Sequence, residues 1–192
     1  MKLFDSSYRG HLHINAEATF NEEKGCIQIL CDMDYIVYKV TEKFESLPIF
    51  FEEENSKYIS TTISGHQKKT VIIDGPNTKI LEKKDILNPN MNAGYTLDIP
   101  DEFNDLQQIN INRKFIEYGY DHWQAFSYKS LKPYDGMIIN LKCAPNITIK
   151  SYHLYGKEED FTVTKDDSNI KIQYHDWLTP GFGVNIIVSK LN

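Results

Sequence analysis

Asn169-Ile170-Lys171-Ile172-Gln173-Tyr174 carries an apolar side chain at every second position. Asn146-Ile147-Thr148-Ile149-Lys150 and Cys26-Ile27-Gln28-Ile29-Leu30-Cys31 read the same way. Successive side chains of an extended chain point to opposite faces, so this period of two is the pattern of half-buried strands. Such runs recur along the chain with turn residues between them and almost no helical periodicity. The fold class expected is all-β, an antiparallel β-sandwich with little helix.

Working outward, the first half offers strands over His11 to Phe20, Cys26 to Met33, Tyr35 to Val40, Ile49 to Phe51, Tyr58 to Ser64, Thr70 to Asp74 and Thr78 to Glu82. Asn21 to Gly25, Glu52 to Glu54 and Asp74-Gly75-Pro76-Asn77 are the turns between them. Leu87 to Gly94 is rich in Asn, Pro and Gly and is expected to be a surface loop. Ile99 to Leu106 suits one helical turn or two, because Pro100 fits a first helical position and acids fit a first turn. From Gln108 onward about seven strands fit into fewer than a hundred residues, the density of an immunoglobulin-like sandwich. Pro133 to Gly136, Ala144 to Asn146, Asp166 to Ser168 and Pro180-Gly181 punctuate them. One domain over 1–192 is the expectation. The alternative is an N-terminal β-subdomain over 1–100 and an Ig-like one over 108–192.

With 192 residues the chain is long enough to bury a core without staples, and 25% charged residues is ordinary for a globular protein. A net charge of −6 argues against a nucleic-acid partner, since phosphates are bound through Lys and Arg. The basic residues are scattered, with short runs only at Lys68-Lys69 and Lys83-Lys84. No apolar run approaches the roughly 20 residues that span a bilayer. Met1 to Ser6 lacks the apolar stretch of a signal peptide. No membrane association is expected, and a cytoplasmic setting is. Cys26, Cys31 and Cys143 are odd in number, fit no zinc spacing and read as buried filler.

On a regular strand His11, His13, Asn15 and Glu17 share one face. Two imidazoles and a carboxylate are the donors of a three-ligand metal site. The spacing over Gly10 to Gly25 resembles the first half of the cupin metal motif, which implies a metal-dependent enzyme using His11, His13 and Glu17. The second cupin motif has its nearest counterpart in Pro180 to Asn185, which contains no His. The bland alternative is a polar face of an early strand, and it is the one preferred. A second cluster pairs Tyr118, Tyr120, His122 and Trp123 with His175 and Trp177. Aromatics beside a loop can stack on a sugar or anchor an interface. Packing between the sheets is the first expectation for both Trp rings.

No Gly-x-Ser-x-Gly elbow and no glycine-rich phosphate loop is present. The function expected is therefore a non-enzymatic binding or assembly module, acting through a protein partner or through its own copies as a homo-oligomer, with no cofactor. The alternatives are the cupin-like enzyme and a small-ligand or carbohydrate sensor built on Trp123 and Trp177.

Overall fold

The computed structural model describes residues 8–51, 56–66, 68–73, 78–80 and 93–191. The period-two runs are extended. They form β1 (Tyr8–Asn21), β2 (Cys26–Tyr38), β3 (Leu47–Phe51), β4 (Lys57–Gly65), β5 (Lys68–Ile73), β6 (Thr78–Ile80) and β7 (Ala93–Leu97). The second half adds β8 (Gln108–Tyr118), β9 (Trp123–Lys129), β10 (Tyr134–Cys143), β11 (Ile147–Tyr155), β12 (Phe161–Lys165), β13 (Asn169–Leu178) and β14 (Gly183–Lys190). Strand dominates the described residues and helix is confined to short 3-10 turns, which makes the fold an all-β sandwich. Among the described residues no helix is long and apolar enough to cross a membrane.

One sheet has eight strands in the order β12-β13-β10-β1-β2-β8-β4-β5. Two sheets of three strands, β11-β14-β9 and β3-β7-β6, hold the other described strands. Among the described residues every pairing is antiparallel except that of β1 with β10, which run side by side in parallel. Strands from before and after the 100–107 segment therefore alternate within the large sheet. Of the seven strands from Gln108 on, β8, β10, β12 and β13 belong to that sheet and β9, β11 and β14 to a small one.

The large sheet buries one face. Leu12, Ile14, Ala16 and Ala18 of β1, Ile27, Ile29 and Cys31 of β2, Ile109 and Ile111 of β8 and Ile139 of β10 form its inner layer. Phe126, Ile149, Val184, Ile186 and Val188 from the β11-β14-β9 sheet join the same core, as do Leu47 and Leu97 from the other small sheet. Each buried Leu, Ile, Val or Phe among them contributes ~1.5–3 kcal/mol by leaving water. Arg113 is buried here and Arg9 half-buried. Arg9 Nη1 donates to the Tyr134 hydroxyl at 2.7 Å, and its guanidinium lies over the Tyr35 and Tyr134 rings. Arg113 donates to the Leu47 and Pro48 carbonyls at 2.8 and 2.9 Å, tying β3 to β8.

Two expectations need correction, and a third, a single helical turn within 99–106, is met. Tyr134 to Gly136 begins β10 instead of forming a turn, because Arg9 and Gly10 of β1 and Leu178 and Trp177 of β13 pair with Tyr134 and Asp135. Ala93 and Gly94 open β7, pairing with Phe51 and Phe50, where a loop was expected through Gly94. Ile99 to Leu106 contains one 3-10 turn, Asp101–Phe103, preceded by Pro100 and anchored by buried Phe103. The remainder of the expected loop, residues 87–92, lies outside the described residues. So do the turns at 52–54 and 74–77 and the last two residues of the strand expected to run to Glu82.

Candidate functional site: the outer face of the large sheet

Inward apolar positions on β1, β2, β8, β10 and β13 leave the alternate positions pointing away from the core. These outer positions are exposed or half-buried. Strand register arranges them in rows. One row runs Lys171, Asn140, Asn15, Asp32, Lys114, Ser60 from β13 to β4, and the next runs Gln173, Ile138, His13, Asp34, Asn112, Thr62.

The amides hold these rows together. Asn140 Nδ2 donates to His13 Nε2 at 2.8 Å and to Asn15 Oδ1 at 3.1 Å. Asn112 Nδ2 donates to the carboxylates of Asp32 and Asp34, the latter at 2.9 Å. Lys114 Nζ lies 3.3 Å from Asp32. Near the β12 end a cleft of about 410 Å³ opens between Asn15, Asn140, Lys142, Thr164, Asn169 and Lys171. Asp166 forms part of its wall, and the Ser168 and Asn169 backbone N–H groups that donate to it hold its carboxyl below the usual range.

At the other end of β1 the regular register breaks on three adjacent strands. The β1–β2 pairing shifts between Gly10 and His13, and His11 takes φ 53°. Gly136 of β10, φ 77°, is skipped in the same way. Across the next pairing Asp135 faces Trp177 while Met137 faces Tyr174, leaving two residues of β13, His175 and Asp176, against the single Gly136 of β10. Such bulges re-aim side chains. Beyond the break the outer positions are Trp177, Asp135, Gly10 and Ile36.

Gly10 lacks a side chain, and the Tyr38 ring fills its place: a Cβ there would lie 3.0 Å from Tyr38 Cε2. Tyr8 stacks on Tyr38 with centroids 4.5 Å apart and planes 13° apart. Trp177 tilts against Tyr8 at 5.7 Å. The three rings thus bridge β13 to β2 over the outer face, and Trp177 is 42% exposed.

The residues singled out from sequence fall as follows. His13 and Glu17 occupy outer positions of β1, while the bulge removes His11 from their regular alternation. Among the described residues no three His, Cys, Asp or Glu side chains are grouped to hold a metal ion. His13 instead accepts the Asn140 hydrogen bond. Tyr118, Tyr120, His122 and Trp123 lie around the β8–β9 connection. Tyr120 stacks on Trp123 at 5.0 Å, Lys24 Nζ sits 4.5 Å from the Tyr118 ring centroid, and exposed His122 pairs with Asp121, lowering that carboxyl. Trp123 is on a small sheet, whereas His175 and Trp177 are on the large one, so the expected cluster is two separate groups. Neither Trp is packed between sheets: Trp123 is 37% exposed. The correction has a physical cause. Each indole sits on an outward position of its strand, where the opposite face supplies the core.

Sequence reading missed Tyr8, Tyr38, Asn112 and Asn140. A signal was available: Asn is disfavoured in strands, yet Asn15, Asn110, Asn112 and Asn140 all occur in strand interiors at polar positions.

The thiols offer no ready nucleophile. Cys31 is fully buried, and burial, reinforced by Glu117 and Asp32, raises its pKa well above the ordinary thiol value. Burial, with help from Asp166, pushes Cys143 up to about 11. The thiolate is the reactive form. Native protein at pH 7.5 is therefore expected to react with Ellman's reagent at least tenfold more slowly than protein in 6 M guanidinium chloride, where all three thiols titrate. Rapid labelling of Cys31 in the native protein would contradict this burial.

Neither a family model nor a curated protein matches the sequence. Among solved structures, the chain is similar to a crystal structure from Parabacteroides distasonis ATCC 8503, provisionally described as a protease, with a TM-score of 0.52 at 8% identity. The match covers 96% of this chain and 40% of that one. The chain therefore spans well under half of that protein's length, and likeness at this identity concerns the fold alone.

Proposed function

We propose that this chain is a non-enzymatic binding module whose recognition surface is the outer face of the eight-stranded sheet. The observation that carries the reading is exposed Trp177, packed with half-buried Tyr8 and Tyr38, on the same face as amides already hydrogen-bonded in place. Exposed aromatic surface next to oriented polar groups is the composition of an interaction site. Side chains held by neighbours lose less freedom when a ligand arrives.

A face is favoured over a sheet edge. β11, an edge of its sheet, carries Lys150 and a register shift between Ile149 and Ser151, and both features discourage pairing with another chain. Self-association is the second reading, favoured by exposed Tyr152 and Tyr155 on the same strand.

Titration of isotope-labelled protein with soluble polysaccharides, nucleotides and charged peptides, followed by amide and indole NMR shifts, tests the choice. The expected result is saturable perturbation confined to Trp177, Tyr38, His13, Asn15, Asn112 and Asn140. Perturbation of β11 that grows with protein concentration alone would replace the face by the edge and make the chain a homo-oligomer.

A further inference from the structure

The outer face also carries information about the chemistry of its ligand, and the inference that follows rests on the reading that this face is the recognition surface. From Trp177 the outer positions of β13, β10 and β1 lead along the strands to Gln173 and His13, then to Lys171, Asn140 and Asn15, then to Asn169, Lys142 and Glu17. At ~3.3 Å per residue this track is about 25 Å long. It begins at an exposed aromatic face and ends in the cleft walled by Asn140, Lys142 and Thr164.

Three properties restrict what can lie there. The charge along the track is mixed: Lys142 is in register with Glu17, and Asp135 and Asp176 flank Trp177 opposite Lys171. A polyanion such as nucleic acid needs a surface of one sign, and this is not one. Between the charges lie the amides of Gln173, Asn140, Asn15 and Asn169, the Thr164 hydroxyl and the His13 imidazole, which offer donors and acceptors to hydroxyl groups. The third property is the ring platform. An indole face with a large apolar area accepts the flat C–H face of a pyranose, while the ring's hydroxyls point sideways toward the amides.

We infer that this face binds a neutral polysaccharide, with one pyranose stacked on Trp177 and the chain continuing over Asn140 and Asn15 to the cleft beside Lys142. Gly10 belongs to the same design, since its missing side chain lets Tyr38 lean across β1 and back up Tyr8 and Trp177.

The test is affinity electrophoresis of the full chain in gels containing hydroxyethylcellulose, xyloglucan, galactomannan or β-1,3-glucan. Calorimetry with the matching hexasaccharide follows. At least one neutral polymer should retard the native protein. Trp177→Ala and Tyr38→Ala should each weaken binding at least tenfold, and Asn140→Ala several-fold. Trp123→Ala, on the other sheet, should bind as the native chain does. In a Trp123→Phe background the single remaining indole should shift to the blue as ligand is added. A thermal melt of each variant separates loss of binding from loss of fold, and Trp177→Phe, which keeps a ring, should retain most of the affinity.

No retardation by any of the four polymers overturns the inference, as does a Trp177→Ala protein that binds normally. If instead heparin, DNA or an acidic peptide perturbs the same outer-face resonances, the polysaccharide is wrong and the recognition face stands. Perturbation located only on β11 removes both.

Discussion

Deleting the chain from Gly181 onward is expected to abolish cooperative folding. β14 is the centre of its three-stranded sheet, pairing with β11 on one side and β9 on the other. Its Val184, Ile186 and Val188 are all fully buried. Losing large aliphatic side chains from a core costs ~2–5 kcal/mol each. Removing the strand also leaves the backbone groups of both neighbours unpaired. Together these losses reach the whole stability of a typical domain, ~5–15 kcal/mol. Calorimetry or far-ultraviolet circular dichroism during heating measures the outcome. A truncated protein that melts within a few degrees of the full chain would mean that β14 adds little to the core.

Among the described glycines, Gly183→Ala should be the most damaging change. A Cβ at this position would lie 2.0 Å from the Tyr128 carbonyl oxygen and 2.8 Å from the Lys129 Cα. Both obstacles are backbone, so no rotamer change relieves them. The strands must separate where Gly183 faces Lys129, next to the Ser130 N–H bond to the Phe182 carbonyl. Overpacking costs ~1–3 kcal/mol when side chains can move. With rigid backbone of β9 as the obstacle, a loss at or above about 3 kcal/mol is expected, read as the shift of a urea midpoint at unchanged slope. Gly25→Ala is the contrast, because nothing lies within 4 Å and only its φ of 62° opposes the change. A Gly183→Ala protein less than 1 kcal/mol weaker than the native one would show that β9 and β14 can move apart freely.

Strands were legible where one face is apolar and the other polar. β14 alternates Val184, Ile186 and Val188 with Asn185, Ile187 and Ser189, and the burial follows that alternation. The alternating run Asn146 to Lys150 opens β11, Ile147–Tyr155. Reading failed where the decisive partner is distant in sequence. Tyr134 to Gly136 has the residues of a turn, and pairing with β1 and β13 on its two sides makes it a strand. β7 was lost because Ala93 and Gly94 follow a loop-like composition and gain their pairing from β3. The candidate site suffered in the same way. An alternating strand identifies which residues share a face, but a bulge such as the one at His11 resets that alternation without a local signal. The union of Tyr8, Tyr38 and Trp177 depends on pairing across four strands, and no property of the three segments taken singly contains it.

The parallel seam between β1 and β10 bears on how the molecule is reached from an unfolded chain. Arg9 and Tyr134, joined across it, are 125 positions apart. Closing so long a loop is entropically costly before any contact rewards it, and chains rich in such distant pairings fold in milliseconds to seconds. During synthesis β1 and β2 form a hairpin early, yet one flank of β1 stays without its mate until β10 has left the ribosome. For that interval the hairpin presents Leu12, Ile14 and Ala16 together with an open row of backbone donors and acceptors. The waiting strand is the point at which a chaperone would be most useful to this chain, and at which a neighbouring copy on the same message could pair with it out of turn.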